Sequence, residues 1–171
     1  MRRITTLIST TDETAFFFIN HTLKSGYYDW LMPKITRLGG VASSIFLSLS
    51  LLLDRDHFWH ETGVHLATSL LISNLIVNIT KKIVRRPRPY QALANVSTGP
   101  FKLKDGSFPS GHTTASFCTA TALTMALPAY SLLFYSIAIL IAFSRVYLGL
   151  HYPSDITIGA ILGTITAMLT A

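Results

Sequence analysis

From Gly106 to Ser144 the chain runs for 39 residues without a single Asp, Glu, Lys or Arg. One crossing of a bilayer takes roughly 20 apolar residues in a helix. The run therefore has the length of two crossings, with Pro128 in "LPAYS" breaking it into a pair and forming a tight return. The rest of the composition agrees. Half of the 171 residues are hydrophobic and 13% are charged, where a soluble domain carries about 25% charged residues. The length allows one domain, residues 1–171. The single cysteine, Cys118, lies inside the uncharged run, excludes an internal disulfide and is read as a small packing residue.

The same patterning gives the other elements. Thr10 and Glu13 have capping-box spacing ahead of "TAFFFINHTL", which predicts a short N-terminal helix lying on the membrane or packed on the bundle. The aromatic cluster of "GYYDWLMP" belongs at headgroup level, and a first spanning helix is expected from near Trp30 to Leu53. Residues 54–61 form a polar turn, and a second helix runs from Thr62 to Thr80. Four prolines, at 87, 89, 100 and 109, make residues 85–109 a loop. A third helix is expected from Ser110 to Leu127, a fourth from Ser131 to Tyr147, and a fifth from Pro153 onward. The fold class is thus all-α, a polytopic transmembrane helix bundle of about five spanning helices plus an N-terminal interfacial helix. The basic N-terminal segment precedes a stretch too polar for a signal-peptide core, so it is expected to be retained.

Alternating crossings bring four helix ends to one side of the membrane: the end of the second helix, the start of the third, the end of the fourth and the start of the fifth. These ends carry "KKIVRRPRP", "SFPSGH", "SRVYLGL" and "HYPSD". The net charge of +6 is concentrated there, five of the fourteen basic residues falling in 81–89. Segments of membrane length flank that cluster and little aromatic residue interleaves it, which argues against nucleic acid. Lys81, Arg88 and Arg145 provide fixed positive charge matched to phosphate oxygens. Ser110 caps a helix start, its hydroxyl and the free N–H groups of the next residues expected to point outward where an anion is well placed, and Gly111 lets a ligand approach the backbone. His151 is suited to nucleophilic attack, with Asp155 four residues on spaced to accept its ring N–H and set the tautomer. His112 is suited to general acid catalysis. These charges neutralise a phosphoryl group without a metal, so no metal and no cofactor is called for.

Lys81 with Arg88-Pro89, then Pro109-Ser110-Gly111-His112, then Ser144-Arg145 with His151 and Asp155, together resemble the three signature motifs of the type 2 phosphatidic acid phosphatase (PAP2) superfamily. The resemblance implies that His151 forms a phosphohistidine, that Asp155 orients it, and that His112 protonates the leaving group. It also implies that Lys81, Arg88, Ser110, Gly111 and Arg145 bind phosphate. Arg85 and Arg86 match no position of the motifs and are assigned to the surface or to headgroups. The implied activity is hydrolysis of a terminal phosphate from a membrane lipid, and analogy with short bacterial members favours undecaprenyl diphosphate, converted to the monophosphate. Phosphatidylglycerophosphate or phosphatidic acid is the alternative substrate.

Rival classes are less well matched. A non-catalytic lipid-binding or transport relative would be marked by loss of a histidine or of Asp155, and all three are present. Vanadium-dependent haloperoxidases share the motifs but are typically larger and soluble. His57, His60 and His65 miss the spacing of a zinc-protease helix, and "FPSGH" lacks a serine-hydrolase elbow. The chain is expected in the cell membrane, with the motif face outside as in related lipid phosphatases. The charge count opposes this: thirteen of fourteen Lys and Arg fall on the motif face, only Arg55 opposite, and the positive-inside rule places that face in the cytoplasm.

Overall fold

The structure, a computed structural model, describes residues 2–99 and 102–171, with side chains from Thr10 onward. Pro100, one of the four loop prolines, lies outside the described residues. All described regular structure is helical. In chain order the α-helices are α1 (Arg2–Phe17), α2 (Gly26–Leu38), α3 (Val41–Leu52), α4 (His57–Val84), the short α5 (Pro89–Ala92), α6 (Gly111–Ala126), α7 (Ser131–Tyr147) and α8 (Pro153–Leu169).

Three expectations need correction. The N-terminal helix is under way well before Thr10 and ends in a π-turn over Phe18–Thr22, so the capping-box spacing does not mark its start. The first long apolar segment is two helices, α2 and α3, bent by 45° at Gly39 and Gly40, rather than one continuous helix from Trp30. The second long helix begins at His57 and ends at Val84, because Asp56 caps Phe58 N–H at 2.9 Å and absorbs most of the expected polar turn. The boundaries of α6, α7 and α8 fall where capping and proline placed them.

Among the described residues, two helical stretches are long and apolar enough to cross a membrane alone, or three when the bent pair counts as one. At 16 and 17 residues, α6 and α8 are shorter. α6 is also rich in threonine, which it tolerates because it is the central helix, packed against α4, α7 and α8. Its contact with α8 is backbone to backbone. A side-chain carbon at Gly163 would sit 2.2 Å from the Thr114 carbonyl oxygen, and one at Gly159 would sit 2.8 Å from that of Ser110. The Gly159-xxx-Gly163 pattern is thus a small-residue helix interface of the kind membrane bundles use, and it fixes the start of α8 against the start of α6.

The N-terminal segment is packed into the bundle. Phe16 is fully buried against Val146 and Tyr152, a burial worth about 2 kcal/mol. The Asn20 amide donates to the Tyr147 and Ser97 carbonyls, each at 2.8 Å, and accepts from Ser97 N–H at 2.9 Å. A buried amide satisfied on both sides holds the 93–99 segment beside the end of α7.

Candidate active site

Arg85 takes the left-handed conformation (φ 48°) and stops α4, its N–H still bonded to the Lys81 carbonyl. The chain then reverses and carries Arg88 into the interior, where it is completely buried. Its fork is filled: Nη1 donates to the Leu150 carbonyl (2.8 Å) and to His151 Nε2 (3.1 Å), Nη2 to Asp105 Oδ1 (2.8 Å), and Nε to the Asp105 carbonyl (3.0 Å).

His151 reaches the same point from α7. Gly149 makes the turn at φ +71°, where an added side-chain carbon would meet Val96 at 2.9 Å, so glycine is required on both conformational and steric grounds. The Leu150 and His151 N–H groups both bond the Arg145 carbonyl. In the ring, Nδ1 lies 2.7 Å from the Ser107 carbonyl oxygen. That oxygen only accepts, and an arginine only donates. The proton therefore sits on Nδ1, and Nε2 keeps its lone pair, toward Arg88. Burial, and then the positive charges of Arg145, Arg88 and Lys81, hold the His151 pKa well below its ordinary 6.5, so the ring is neutral at neutral pH.

Asp155 was expected to take the ring N–H of His151. Its nearest oxygen is 3.6 Å from Nδ1, beyond hydrogen-bonding range, and the Ser107 carbonyl takes the proton instead. The Asp155 carboxylate is committed elsewhere, accepting from Tyr152 N–H (2.9 Å) and from Arg86 Nη1 (2.8 Å). Its main-chain carbonyl accepts from Ser110 N–H at 3.1 Å, so Asp155 joins the starts of α8 and α6.

Ser110 also differs from expectation. Its hydroxyl caps α6, 3.0 Å from Thr113 Oγ1 and 3.5 Å from Thr113 N, and is fully buried rather than pointing outward. The first intrahelical bond of α6 is Thr114 N–H to the Ser110 carbonyl, so the N–H groups of Gly111 and His112 have no partner within the helix. The His112 ring stands against the break between α2 and α3. Its Nε2 lies 3.7 Å from where a side-chain carbon of residue 40 would stand, and its carbonyl 3.2 Å from one at residue 39.

Arg145 is 2% exposed. Its Nη1 donates to Thr36 Oγ1 at 2.6 Å, while its Nε is buried with no hydrogen-bond partner, which is uncommon for a buried polar group. Lys81 pairs with Asp105 Oδ2 at 2.5 Å. Burial pushes the Asp105 carboxyl up, but hydrogen bonds and charge from Lys81 and Arg88 outweigh it and hold the carboxyl down at about 2.

Six of the eight residues singled out from the sequence, Lys81, Arg88, Gly111, His112, Arg145 and His151, line one cavity of about 500 Å³. Ser110 and Asp155 stand outside its lining. Four participants were not foreseen. Asp105 neutralises two of the cations, and the Ser107 carbonyl orients His151. Arg86, assigned to the surface, donates to Asp155 and Ser154 through Nη1 (2.8 Å each) and to Asp12 through Nη2 (2.7 Å). Its guanidinium also lies 3.9 Å over the Tyr152 ring. Asp12, on α1, accepts from Ser154 N–H at 2.8 Å. A lone carboxylate between two cationic motifs was a legible signal for Asp105; nothing in the sequence links residue 12 to residue 154. The three histidines of α4 have separate partners: Glu61 for His57, the Leu52 carbonyl for His60 and the Ala167 carbonyl for His65.

Comparison with known proteins adds to this geometry. The sequence profile described as PAP2 superfamily matches residues 62–171. Over 113 residues the chain is 34% identical to the lipid A 1-phosphatase of Rhizobium etli, a match covering 64% of this chain and 49% of that protein. Over 111 residues it is 29% identical to the undecaprenyl-diphosphatase of Sulfolobus acidocaldarius, covering 64% of this chain and 54% of that protein. The chain thus spans about half the length of these curated relatives. The crystal structure of Aquifex aeolicus LpxE superposes with a TM-score of 0.81 at 28% identity, covering 92% of both chains.

Proposed function

This chain belongs to the PAP2 superfamily, and on that premise we propose that it is an integral membrane phosphatase removing a terminal phosphate from a lipid through a phosphohistidine. The observation that carries the proposal is the state of His151: a neutral ring with its proton on Nδ1 and its Nε2 lone pair among three cations.

In the proposed mechanism the substrate phosphate displaces Asp105 from Lys81 and Arg88 and takes up the unpaired Arg145 Nε. The N–H groups at the start of α6 contribute donors aimed at the same anion. Arg88 Nη1 turns from His151 Nε2 to the phosphate, which frees the lone pair, and Nε2 attacks phosphorus as the bond from phosphorus to the leaving oxygen breaks. His112 gives that oxygen its proton. Three cations line its cavity, so the incoming phosphate charge is what makes the protonated ring favourable. Water then attacks the phosphohistidine, returning a proton to His112 and releasing phosphate from Nε2. Asp155 acts behind the ring, through Arg86 and the helix starts, rather than by direct hydrogen bonding. We read residues 1–171 as one catalytic domain of about five crossings, with α1 at the interface and no cofactor, and place the site outside the cell.

Purified protein in detergent is the test: it should release phosphate from a lipid phosphate in the presence of chelator and give an acid-labile phosphoenzyme, and His151→Ala should do neither. Turnover by His151→Ala would remove the nucleophile. For sidedness, Lys104→Cys should react with an impermeant maleimide in intact cells; labelling only after lysis would put the site in the cytoplasm. The finer choice of lipid lies between undecaprenyl diphosphate and an acyl lipid such as phosphatidylglycerophosphate or phosphatidic acid.

A further inference from the structure

The two buried arginines of the cavity are held in different ways. Arg88 is gripped by the carbonyls of Leu150, Asp105 and Gly106, by the Asp105 carboxylate and by His151, so the fold sets its orientation many times over. Arg145 is equally buried, yet among the described residues its guanidinium has a single hydrogen-bond partner, Thr36 Oγ1, which accepts from Nη1 at 2.6 Å. An arginine serves a phosphate well only when its planar fork is aimed, because two parallel donors must meet two oxygens. The aim of Arg145 therefore depends on one hydroxyl.

That hydroxyl comes from α2, which carries none of the three motifs and lies outside residues 62–171 matched by the family profile. Met32 and Thr36, one turn apart, are the buried residues of α2. Met32 packs into the cluster of Tyr147, Leu148 and Leu150 at the end of α7, which brings Thr36 up to Arg145. Threonines in helices commonly return the hydroxyl to the carbonyl four residues back, as Thr62 does to Phe58 and Thr80 to Ile76. Among the described residues Thr36 Oγ1 has Arg145 as its partner and no bond to the Met32 carbonyl. Arg145 lines the cavity and Thr36 does not, so the hydroxyl stands behind the guanidinium, away from any ligand.

We propose that Thr36 is a positioning residue for phosphate binding, holding Nη1 of Arg145 so that the rest of the guanidinium faces the phosphate oxygens. The proposal rests on the phosphatase reading above and deepens it by adding to the site a residue from a helix outside the motifs. An arginine aimed before the anion arrives loses less freedom on binding it.

The test uses the purified full chain with Thr36→Val, which keeps the shape and removes the acceptor, and Thr36→Ser, which restores the hydroxyl. Affinity for inorganic phosphate, measured by calorimetry, should fall about tenfold in Thr36→Val, the scale of one charge-assisted hydrogen bond, and stay within about twofold of the parent in Thr36→Ser. Thr36→Ala serves as a second variant without the hydroxyl should the first fold poorly. A lowered melting temperature with unchanged phosphate affinity, or an equal loss in Thr36→Ser, would make Thr36 a packing residue and overturn the assignment. The break at Gly39 and Gly40 beside His112 follows directly on this turn of α2, so a general displacement of α2 has its own signature. It would slow turnover of a lipid phosphate while sparing p-nitrophenyl phosphate, whose leaving oxygen hardly needs a proton; a misdirected Arg145 slows both alike. A loss confined to the lipid therefore overturns the role of Thr36 and leaves the phosphatase intact. If the parent protein turns over no lipid phosphate, the phosphatase reading fails instead. Phosphate affinity then decides Thr36 alone, a fall in Thr36→Val reversed in Thr36→Ser supporting it and equal or absent binding overturning it.

Discussion

The two histidines of the cavity are held in different ways. His151 is fixed on every side: a carbonyl on Nδ1, an arginine on Nε2, its own N–H and that of Leu150 tied to the Arg145 carbonyl, and burial. His112 sits on the first turn of α6, its ring and carbonyl packed beside Gly40 and Gly39 at the break between α2 and α3. The difference fits the roles proposed for the two groups. A nucleophile gains from having its lone pair aimed before substrate arrives, whereas a proton carrier must exchange with both leaving group and water. On the proposed mechanism the site is held tightly at the attacking ring and less so at the ring that carries the proton.

The largest expected effect breaks the rigid side. His151→Ala should lower phosphate release by at least about a thousandfold and remove the phosphoenzyme. His112→Ala should cost about a hundred- to ten-thousandfold on lipid substrates, and much less on p-nitrophenyl phosphate, whose leaving oxygen hardly needs a proton. An equal loss on both would deny His112 the acid role.

Smaller effects sharpen the contrast. Arg86→Met strands the carboxylates of Asp12 and Asp155, one nearly and one wholly buried, at a cost of about 3–5 kcal/mol. A lowered melting temperature with kcat falling more than KM rises would mark Arg86 as a positioning residue. Asp105→Asn should tighten inhibition by vanadate severalfold, because Lys81 and Arg88 lose their resident anion; unchanged inhibition would mean that Asp105 does not compete with phosphate. The smallest effect lies in pH dependence. Because the His151 pKa is depressed, the folded protein does not take up this proton below 6.5 while the unfolded chain does. Stability from this group is full above 6.5 and declines as pH falls below it, yet the nucleophile stays neutral there. No acid limb of kcat/KM near 6.5 should therefore come from His151. Asp105 works in the same direction at lower pH, contributing stability above 3.8 that is lost as pH falls toward about 2.

The sequence was most legible where short-range physics acts alone. Pro128, Pro153 and Ser110 set the limits of α6, α7 and α8, and the alternation of helices brought motifs 70 residues apart to one cavity. It was least legible where a partner is remote. The 45° bend at Gly39-Gly40 read as uninterrupted apolar helix, since the groups packed against it, Ile141 and His112, lie on other helices. Gly159 and Gly163 carried a readable interface pattern that passed unnoticed beneath the motif beside it.

By itself, then, the sequence determined that this chain is helical, apolar enough for a bilayer, and equipped with two histidines and three cations in a recognisable order; composition, period and caps act over a few residues and need no fold. Only the tertiary structure decided that a carbonyl rather than Asp155 receives the His151 proton, that Arg86 reaches from Asp155 to Asp12, and that the Arg145 Nε is buried with no hydrogen-bond partner. Hydrogen bonds are settled to tenths of an ångström, and that accuracy comes from packing the whole chain.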